Sequence, residues 1–331
     1  MPAVVSTSAL FGVNCRPRWR LALLLLGVCG VRPGPAQTLP PDLAAKFDAY
    51  VSQSINAMVL FTSERAISSG TYTLKGRGGD NDAKFTVPKL TIYHEFAGQN
   101  PRAAVPFVEA GLSRFSLKEE VNRFGLPADV AQFHTLTVTA GGGVKVRLAE
   151  GLRLSPGFAA GYSHVEQGYE FKNPESIALR PFIDGVLVNW DADAYSLRPS
   201  LQLDYTKTLG RVRLDAASKY IFLFTDLIHA SSPAVSVASQ THLWRNQVSG
   251  LVDSGWKPAG QPLFLGLSLS RYDLSGKSPE ALGLKTYYEL RGDVFAKLTR
   301  RILRLEELGL TASWFFGGRL AGWRAGLYYD F

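Results

Sequence analysis

The sequence predicts an all-β protein, a transmembrane antiparallel up-and-down β-barrel of about twelve strands with a short N-terminal helix. Three observations predict it. Apolar and polar residues alternate with period two over most of the chain. Hydrophobic residues make up 46% and charged residues 19%, yet no apolar run is long enough for a membrane-spanning helix. The connections between the alternating segments are short and long in turn, as in membrane barrels.

Residues 1–36 are interpreted as a signal peptide. An arginine-rich stretch precedes the apolar run 21–28, and small residues follow up to Ala36. A basic region, a short apolar region and a small-residue cleavage site are typical of a secretory signal. The alternatives are a membrane anchor, for which the apolar run is too short, and a lipoprotein modified at Cys29. The pattern therefore predicts export, with cleavage after Ala36.

Export would change the chemistry that the chain can offer. Both cysteines, Cys15 and Cys29, lie in the presequence. Without them, thiol catalysis, disulfides and cysteine metal sites are excluded. The loss of four arginines lowers the net charge from +8 to +4. This excess is too small to predict binding to nucleic acid.

Residues 37–54 are expected to form an N-terminal helical segment. Two prolines and Asp42 mark a helix start, and Leu43 and Phe47 fall on one stripe. This helix is expected to lie either inside the barrel, as a plug of the lumen, or at its periplasmic mouth. The barrel itself is predicted to occupy residues 55–331.

The clearest strand pattern is at 195–205, where Tyr195, Leu197 and Leu201 alternate with polar residues. Successive side chains of a strand point to opposite faces, so each such segment has one apolar and one polar face. The predicted strands are 55–74, 83–96, 103–116, 133–148, 151–165, 194–207, 211–225, 238–255, 262–273, 286–298, 305–316 and 320–331.

The lengths of the predicted connections indicate an orientation. If the last strand ends on the periplasmic side, the periplasmic connections are short, such as 149–150 and 207–210. The opposite side then carries long ones, such as 117–132 and 165–193. Short periplasmic turns and longer outer loops are typical of barrels in the bacterial outer membrane. The sequence therefore predicts that location.

The last strand ends in a motif formed by Arg324, Gly326, Tyr329 and Phe331. It resembles the carboxy-terminal β-signal of Gram-negative outer-membrane proteins. Over about residues 40–331, the strand number, the helix candidate and this ending resemble the solitary outer-membrane autotransporter-type β-barrel family. The resemblance implies that the barrel-assembly machinery recognises Tyr329 and Phe331, and that outer-membrane lipid and lipopolysaccharide surround the barrel. Since no passenger segment fits before the first strand, a separately encoded cargo is expected.

The alternation also predicts charged side chains that face the lumen. They are Lys145, Arg147, Arg153, Arg198, Asp204, Arg213, Asp215, Lys219, Glu289, Arg291, Asp293 and Lys297. A Lys or Arg facing lipid costs about 2–4 kcal/mol at the membrane midplane, whereas a lumen tolerates charge. Two interpretations remain open. The lumen is either a salt-bridged core that closes the barrel or a wet conduit that slightly favours anions.

No catalytic, cofactor-binding or metal site is predicted. The five histidines lack the spacing of a metal site. Ser163 and His164 come nearest to a nucleophile with its base, but adjacent strand residues point to opposite faces. The glycine run 141–143 lacks the phosphate-loop pattern. It instead predicts a kink or the close approach of a group that fills the lumen.

The function expected from these observations is that of a passive translocator or narrow pore without enzymatic activity. Two alternatives stay open. One is an outer-membrane hydrolase that modifies lipids. The other is an adhesive or structural barrel that acts through its outer loops, above all through 165–193 with its aromatic residues.

Overall fold

The computed structural model forms one closed sheet. The structure describes residues 67–75, 82–96, 104–121, 127–232, 235, 238–276, 284–302 and 305–330. The strands are β1 Ile67–Leu74, β2 Ala83–Glu95, β3 Val105–Val121, β4 Asp129–Ala149, β5 Leu152–Glu170, β6 Trp190–Leu209, β7 Val212–Ala230, β8 Ala238–Asp253, β9 Leu263–Gly276, β10 Thr286–Ile302, β11 Leu305–Gly317 and β12 Leu320–Asp330. A helix, α1, spans Pro174–Ile183 between β5 and β6. A short 3-10 turn at Pro258–Gly260 precedes β9.

Each strand pairs antiparallel with its neighbours in sequence, and β1 pairs with β12 to close the ring. Ile67 lies opposite Leu327 at one end of this seam, and Leu74 lies opposite Leu320 at the other. Closure satisfies the backbone hydrogen bonds of every strand, which a sheet in lipid requires. The predicted antiparallel barrel of about twelve strands is confirmed.

The two ends of the barrel differ. We call the end at which Ile67 and Asp330 lie the terminal end, and the end that carries α1 the loop end. At the terminal end, β4 joins β5 and β6 joins β7 through tight turns at Gly151 and Gly210. Both glycines have positive φ angles, which favour glycine at a sharp reversal.

Several strands run further toward the loop end than the alternation of apolar residues predicts. β3 continues to Val121 and β4 begins at Asp129, so most of the predicted connection 117–132 is strand. Likewise, β5 extends to Glu170 and β6 begins at Trp190, and α1 fills part of the connection between them. Most outward side chains of these extensions are polar because they lie beyond the apolar band, so the extensions resemble loops in composition.

Some predictions fall outside the described residues. These are the signal peptide 1–36, the helical segment 37–54, the first part of the predicted barrel at 55–66, and Phe331. They remain predictions. Within the described part of the chain, no helix has the length and apolar character that crossing a membrane demands.

The outward face carries a band of exposed apolar side chains. Representative members are Leu90, Leu112, Leu136, Phe158, Leu201, Leu214, Val248, Leu267, Val294, Leu310, Trp323 and Leu327. A contiguous apolar surface of this kind is unfavourable in water and is what lipid requires of a barrel exterior. The inward positions alternate with these residues and line the lumen.

The lumen has two halves of different character. Its loop half is filled by a cluster of buried apolar residues. These are Tyr72, Leu74, Ala83, Phe85, Val87, Phe115, Val165, Ile183, Leu187, Trp190, Ala192, Ala194, Ile221, Leu223, Val235, Leu243, Tyr272, Leu274, Leu284, Tyr287, Phe315 and Leu320. Toward the terminal end, most inward positions hold charged, hydroxyl and glycine residues, together with the buried rings of Phe107 and Phe295.

Candidate functional site

A buried ion pair fastens the last strand to β10 inside the lumen. Arg324 Nη2 donates a hydrogen bond to Glu289 Oε1 at 2.5 Å, and the Tyr272 hydroxyl donates to Glu289 Oε2 at 2.5 Å. Both charged side chains are less than one-tenth exposed. The guanidinium of Arg324 also lies over the Phe315 ring, 5.0 Å from its centroid. Each buried charge thus has a partner of opposite sign, as burial requires.

A second ion pair crosses two strands. Arg198 Nη2 on β6 donates to Glu109 Oε1 on β3 at 2.8 Å, and both side chains are largely buried. In register, Gly141 and Ala159 lie between them on β4 and β5. Because these two residues have little or no side chain, the long Arg198 side chain reaches Glu109 across the inner wall.

Atoms of the neighbouring strands lie close to the glycine run 141–143. A Cβ atom on Gly141 would lie 2.5 Å from the Ala159 Cβ, and one on Gly143 would lie 2.6 Å from Cζ of Phe107. The run predicts close approach of a group that fills the lumen. Within the described residues, the atoms nearest to the run belong to β3 and β5, and they include the inward ring of Phe107 beside Gly143. The helical segment 37–54, considered above as an occupant, lies outside them.

The other predicted lumen residues lie on the same inward face, opposite the apolar band. Lys145 pairs with Glu95, Arg213 with Asp215 at 3.0 Å and Arg291 with Asp293 at 3.0 Å, and Asp204 accepts a hydrogen bond from Gln202 at 2.6 Å. Lys219 is half-buried and lies opposite Arg245 in register. Near the terminal end, Arg147, Arg153 and Lys297 are exposed. The structure thus brings many of the predicted charges together in pairs and leaves basic groups at the terminal mouth.

A chain of aromatic rings, which we call the aromatic belt, runs around part of the inner wall. Its members in order are Phe115, Phe85, Tyr72, Phe315, Tyr287 and Tyr272. Neighbouring ring centroids are 4.5 to 6.4 Å apart, within the range of favourable aromatic pairs. Because Tyr72 is on β1 and Phe315 is on β11, the belt spans the seam at which the barrel closes.

The connection between β5 and β6 turns into the lumen at the loop end. Ile183, Leu187 and Trp190 are all buried in the apolar cluster. Val235 and Leu284, which lie outside the strands, join the same cluster. Apolar side chains from these connections therefore cover the loop end of the lumen.

One carboxylate holds the start of α1 against β4. Asp129 Oδ1 accepts hydrogen bonds from the backbone nitrogens of Lys172 and Asn173, at 2.7 and 2.8 Å, and from the Ser176 hydroxyl at 2.9 Å. Its Oδ2 accepts from the Tyr169 hydroxyl at 2.9 Å. We call Asp129 and these four donors the Asp129 latch. Asp129 is only 5% exposed, so these bonds are made away from bulk water.

The other end of α1 is fixed by Asp184. Its carboxylate accepts hydrogen bonds from Asn189 Nδ2 at 2.6 Å and from Arg180 Nε at 2.9 Å. The Asn189 amide, followed by the Arg180 guanidinium, holds the pKa of Asp184 below its ordinary value. The ionised carboxylate thus joins the helix to the residue that precedes β6.

The candidate catalytic pair of the sequence is not brought together. The Ser163 hydroxyl faces inward and bonds to that of Thr137 at 2.9 Å, whereas His164 faces outward and bonds to Asp193 at 2.8 Å. In the described part of the chain, no group of three His, Cys, Asp or Glu side chains is arranged to hold a metal ion. The predicted pair Ser163 and His164 therefore does not form a nucleophile with its base.

The residues of the terminal motif have separate contacts. Arg324 and Gly326 face inward, and a Cβ on Gly326 would lie 2.5 Å from the backbone oxygen of Ile67, so only glycine fits against β1 there. The Tyr329 hydroxyl donates to the backbone oxygen of Thr91 on β2. Phe331 lies outside the described residues.

A closed sheet with an apolar exterior and an ion-paired, partly polar interior defines a β-barrel of the bacterial outer membrane. The sequence matches the family model of solitary outer membrane autotransporter beta-barrel domains over residues 84–331. The chain belongs to this family. No curated protein matches the sequence.

The chain is similar to several solved structures at low sequence identity. The transport unit of the autotransporter AIDA-I from Escherichia coli superposes with a TM-score of 0.50 and 10% identity, over 86% of this chain and 99% of that one. The beta domain of the Bordetella autotransporter BrkA gives a TM-score of 0.48 and 13% identity, over 80% and 98% of the two chains. The translocator domain of NalP from Neisseria meningitidis gives 0.46 and 10%, over 88% and 98%.

Three features of the loop end were not predicted from the sequence. They are α1, the Asp129 latch and a hydrogen bond between the Ser116 hydroxyl and His134 Nδ1 at 3.0 Å on the outward face. The helix has a local signal, since Asn173 caps it and Pro174 follows at the first helical position. The other two depend on strand register, which a single sequence does not reveal.

Proposed function

We propose that this outer-membrane barrel acts as a passive translocator or narrow pore that is closed at its loop end in the resting state. The observation that supports the proposal is the division of the lumen into two halves. Charged and hydroxyl side chains line most of the half near the terminal end, together with the rings of Phe107 and Phe295, and the apolar cluster fills much of the other half. Apolar side chains of similar volume would stabilise a permanently closed lumen at least as well as paired charges, whose burial costs solvation.

The part that opens is the connection that carries α1. It contributes Ile183 and Leu187 to the apolar cluster, and the Asp129 latch holds its first residues. Release of the latch would let this segment leave the lumen without breaking any strand pairing. The exposed Arg147, Arg153 and Lys297 at the terminal mouth would then favour anions.

Planar-bilayer conductance of the purified full chain tests the proposal. The wild-type barrel is expected to conduct rarely. Asp129→Ala removes the acceptor of four hydrogen bonds, so open events should become about tenfold more frequent or more.

Asp191→Ala is the matched control, because Asp191 is an exposed aspartate at the start of β6 whose carboxylate makes no hydrogen bond among the described residues. Its conductance should equal that of the wild type. A variant in which residues 174–187 are replaced by a short glycine linker should conduct most. If this variant and Asp129→Ala are both silent in folded barrels, the pore proposal is wrong.

The proposal includes no catalysis. The side chains of Ser163 and His164 lie on opposite faces of the barrel wall. His134 bonds to the Ser116 hydroxyl, and no carboxylate of the described residues forms a hydrogen bond with His134 that would orient it as a general base.

A further inference from the structure

Three basic side chains lie together on the outward face near the loop end. Lys84 on β2 and Arg114 and Lys118 on β3 are all exposed. They alternate with inward residues such as Phe85 and Phe115, so they point away from the lumen. We call these three residues the cationic patch.

Two members of the cationic patch oppose each other directly. Lys84 and Lys118 are register partners on neighbouring antiparallel strands. Side chains in such positions have Cβ atoms about 4.5–5.5 Å apart, and like charges there destabilise a sheet. The pairing calls for an anion that lies between the two ammonium groups.

Two exposed carboxylates lie nearby, since Asp82 precedes Lys84 by two residues and Glu120 follows Lys118 by two, but neither forms an ion pair with a member of the cationic patch. Among the described residues, no carboxylate forms an ion pair with Lys84, Arg114 or Lys118. Glu170 attracts Lys118 electrostatically, but it already pairs with Lys172 at 2.9 Å and accepts a hydrogen bond from Gln132 at 2.9 Å.

The position of the patch relative to the apolar band indicates the source of the anion. Arg114 follows Leu112 on the outward face of β3 and lies opposite Leu136 on β4. These leucines are 44% and 49% exposed and belong to the band that meets lipid. The patch thus begins where the hydrocarbon-facing surface ends, at the depth of the lipid headgroups. In an outer-membrane barrel the end with the longer loops faces outward, which places the patch in the outer leaflet.

Neutral hydrogen-bonding groups lie between the cations. Ser116 follows Arg114 on the outward face and precedes Lys118, and its hydroxyl bonds to His134. Thr86 lies opposite Ser116 in register. Arg114 and Lys118 are four residues apart on one strand, a distance of about 13 Å. Two phosphates on one disaccharide headgroup can bridge this span.

We propose that the cationic patch binds the phosphate groups of an outer-leaflet glycolipid of the lipid A type. One phosphate lies between Lys84 and Lys118, and a second contacts Arg114 at the edge of the apolar band. The site is separate from the lumen and does not depend on whether the barrel conducts.

The test uses the full chain in detergent with bisphosphorylated lipid A, and native mass spectrometry measures the lipid that is retained. The triple variant K84Q/R114Q/K118Q should bind about tenfold more weakly or worse, since each basic residue adds to attraction for anionic lipid. The control K207Q/R211Q/K257Q removes the same charge at the terminal end and should bind like the wild type. The wild type should bind monophosphoryl lipid A more weakly than the bisphosphorylated form, whereas the triple variant should bind the two forms equally.

A second variant tests the cation pair itself. K84E replaces the like-charge pair with an ion pair and keeps the attraction between Lys118 and Glu170, so it should raise the unfolding temperature in lipid-free detergent and lower the retention of lipid A. Equal retention by the wild type and the folded triple variant would overturn the proposal. Equal retention of phosphatidylglycerol and lipid A would also overturn it, because it would indicate general attraction for anionic lipid. Displacement of lipid A by millimolar inorganic phosphate would overturn it as well.

Discussion

Glu289 and Arg324 form the most deeply buried of the ion pairs described in the lumen. Alternation in the sequence predicts that Glu289 faces inward, because inward positions follow from parity alone. It does not predict the partner, since β11 lies between the two strands and the contact depends on how these strands are staggered. The terminal motif likewise marks Arg324 as part of an assembly signal without indicating that its guanidinium lies inside the wall.

Glu289→Gln should destabilise the barrel strongly. The substitution leaves the Arg324 charge buried without a counter-charge, and breaking such a pair typically costs about 3–5 kcal/mol. The free energy of unfolding, measured in detergent with denaturant, should fall by that amount. Glu150→Gln, at the exposed turn between β4 and β5, is the control and should leave it unchanged. Equal stabilities of the two variants would refute the structural importance of the pair.

The helix α1 is a small element with a large effect on the lumen. Its start is specified locally by Asn173 and Pro174, but its position is specified by Asp129, which is more than forty residues away. A sequence read alone predicts an outer loop here because the segment is polar and follows a long strand. The connection folds back into the barrel instead, because burial of Ile183, Leu187 and Trp190 outweighs the cost of ordering it.

The Asp184 contacts should weaken at low pH. Because its folded-state pKa lies below the ordinary value, the stabilisation is fully present above the unfolded pKa of about 3.9 and is lost as the pH falls through the folded-state pKa. Amide exchange at residues 180–189, corrected for intrinsic rates, should therefore accelerate below about pH 4. In Asp184→Asn this acceleration should be absent. If wild type and variant respond to pH in the same way, Asp184 does not control the segment.

For the molecule as a whole, twelve strands, their alternation and the pairing of the first strand with the last all follow from the sequence pattern. This information is local, since it needs only the period of two and the lengths of the connections. The filling of the loop end could not be predicted in the same way. It depends on contacts among residues from β1, β5, β9 and the connections, which are far apart in the sequence.

A closed barrel should resist detergent until it is heated. Unheated protein is expected to migrate faster on a detergent gel than boiled protein, because every strand is paired on both sides and the interior is filled. Deletion of residues 320–331 removes β12 and leaves two unpaired edges, so both samples of that variant should migrate together. Identical migration of heated and unheated wild type would contradict the closed fold.

The aromatic belt has a consequence for how the chain is made. Phe85 and Phe115 are synthesised early, whereas Phe315 emerges near the end of translation, and Tyr72 touches a ring from each group. A chain that is cut short or stalled therefore leaves unburied rings, and their exposure distinguishes an unfinished molecule from a finished one. Proteases that cleave at exposed aromatic residues would degrade the unfinished molecule and leave the finished barrel intact.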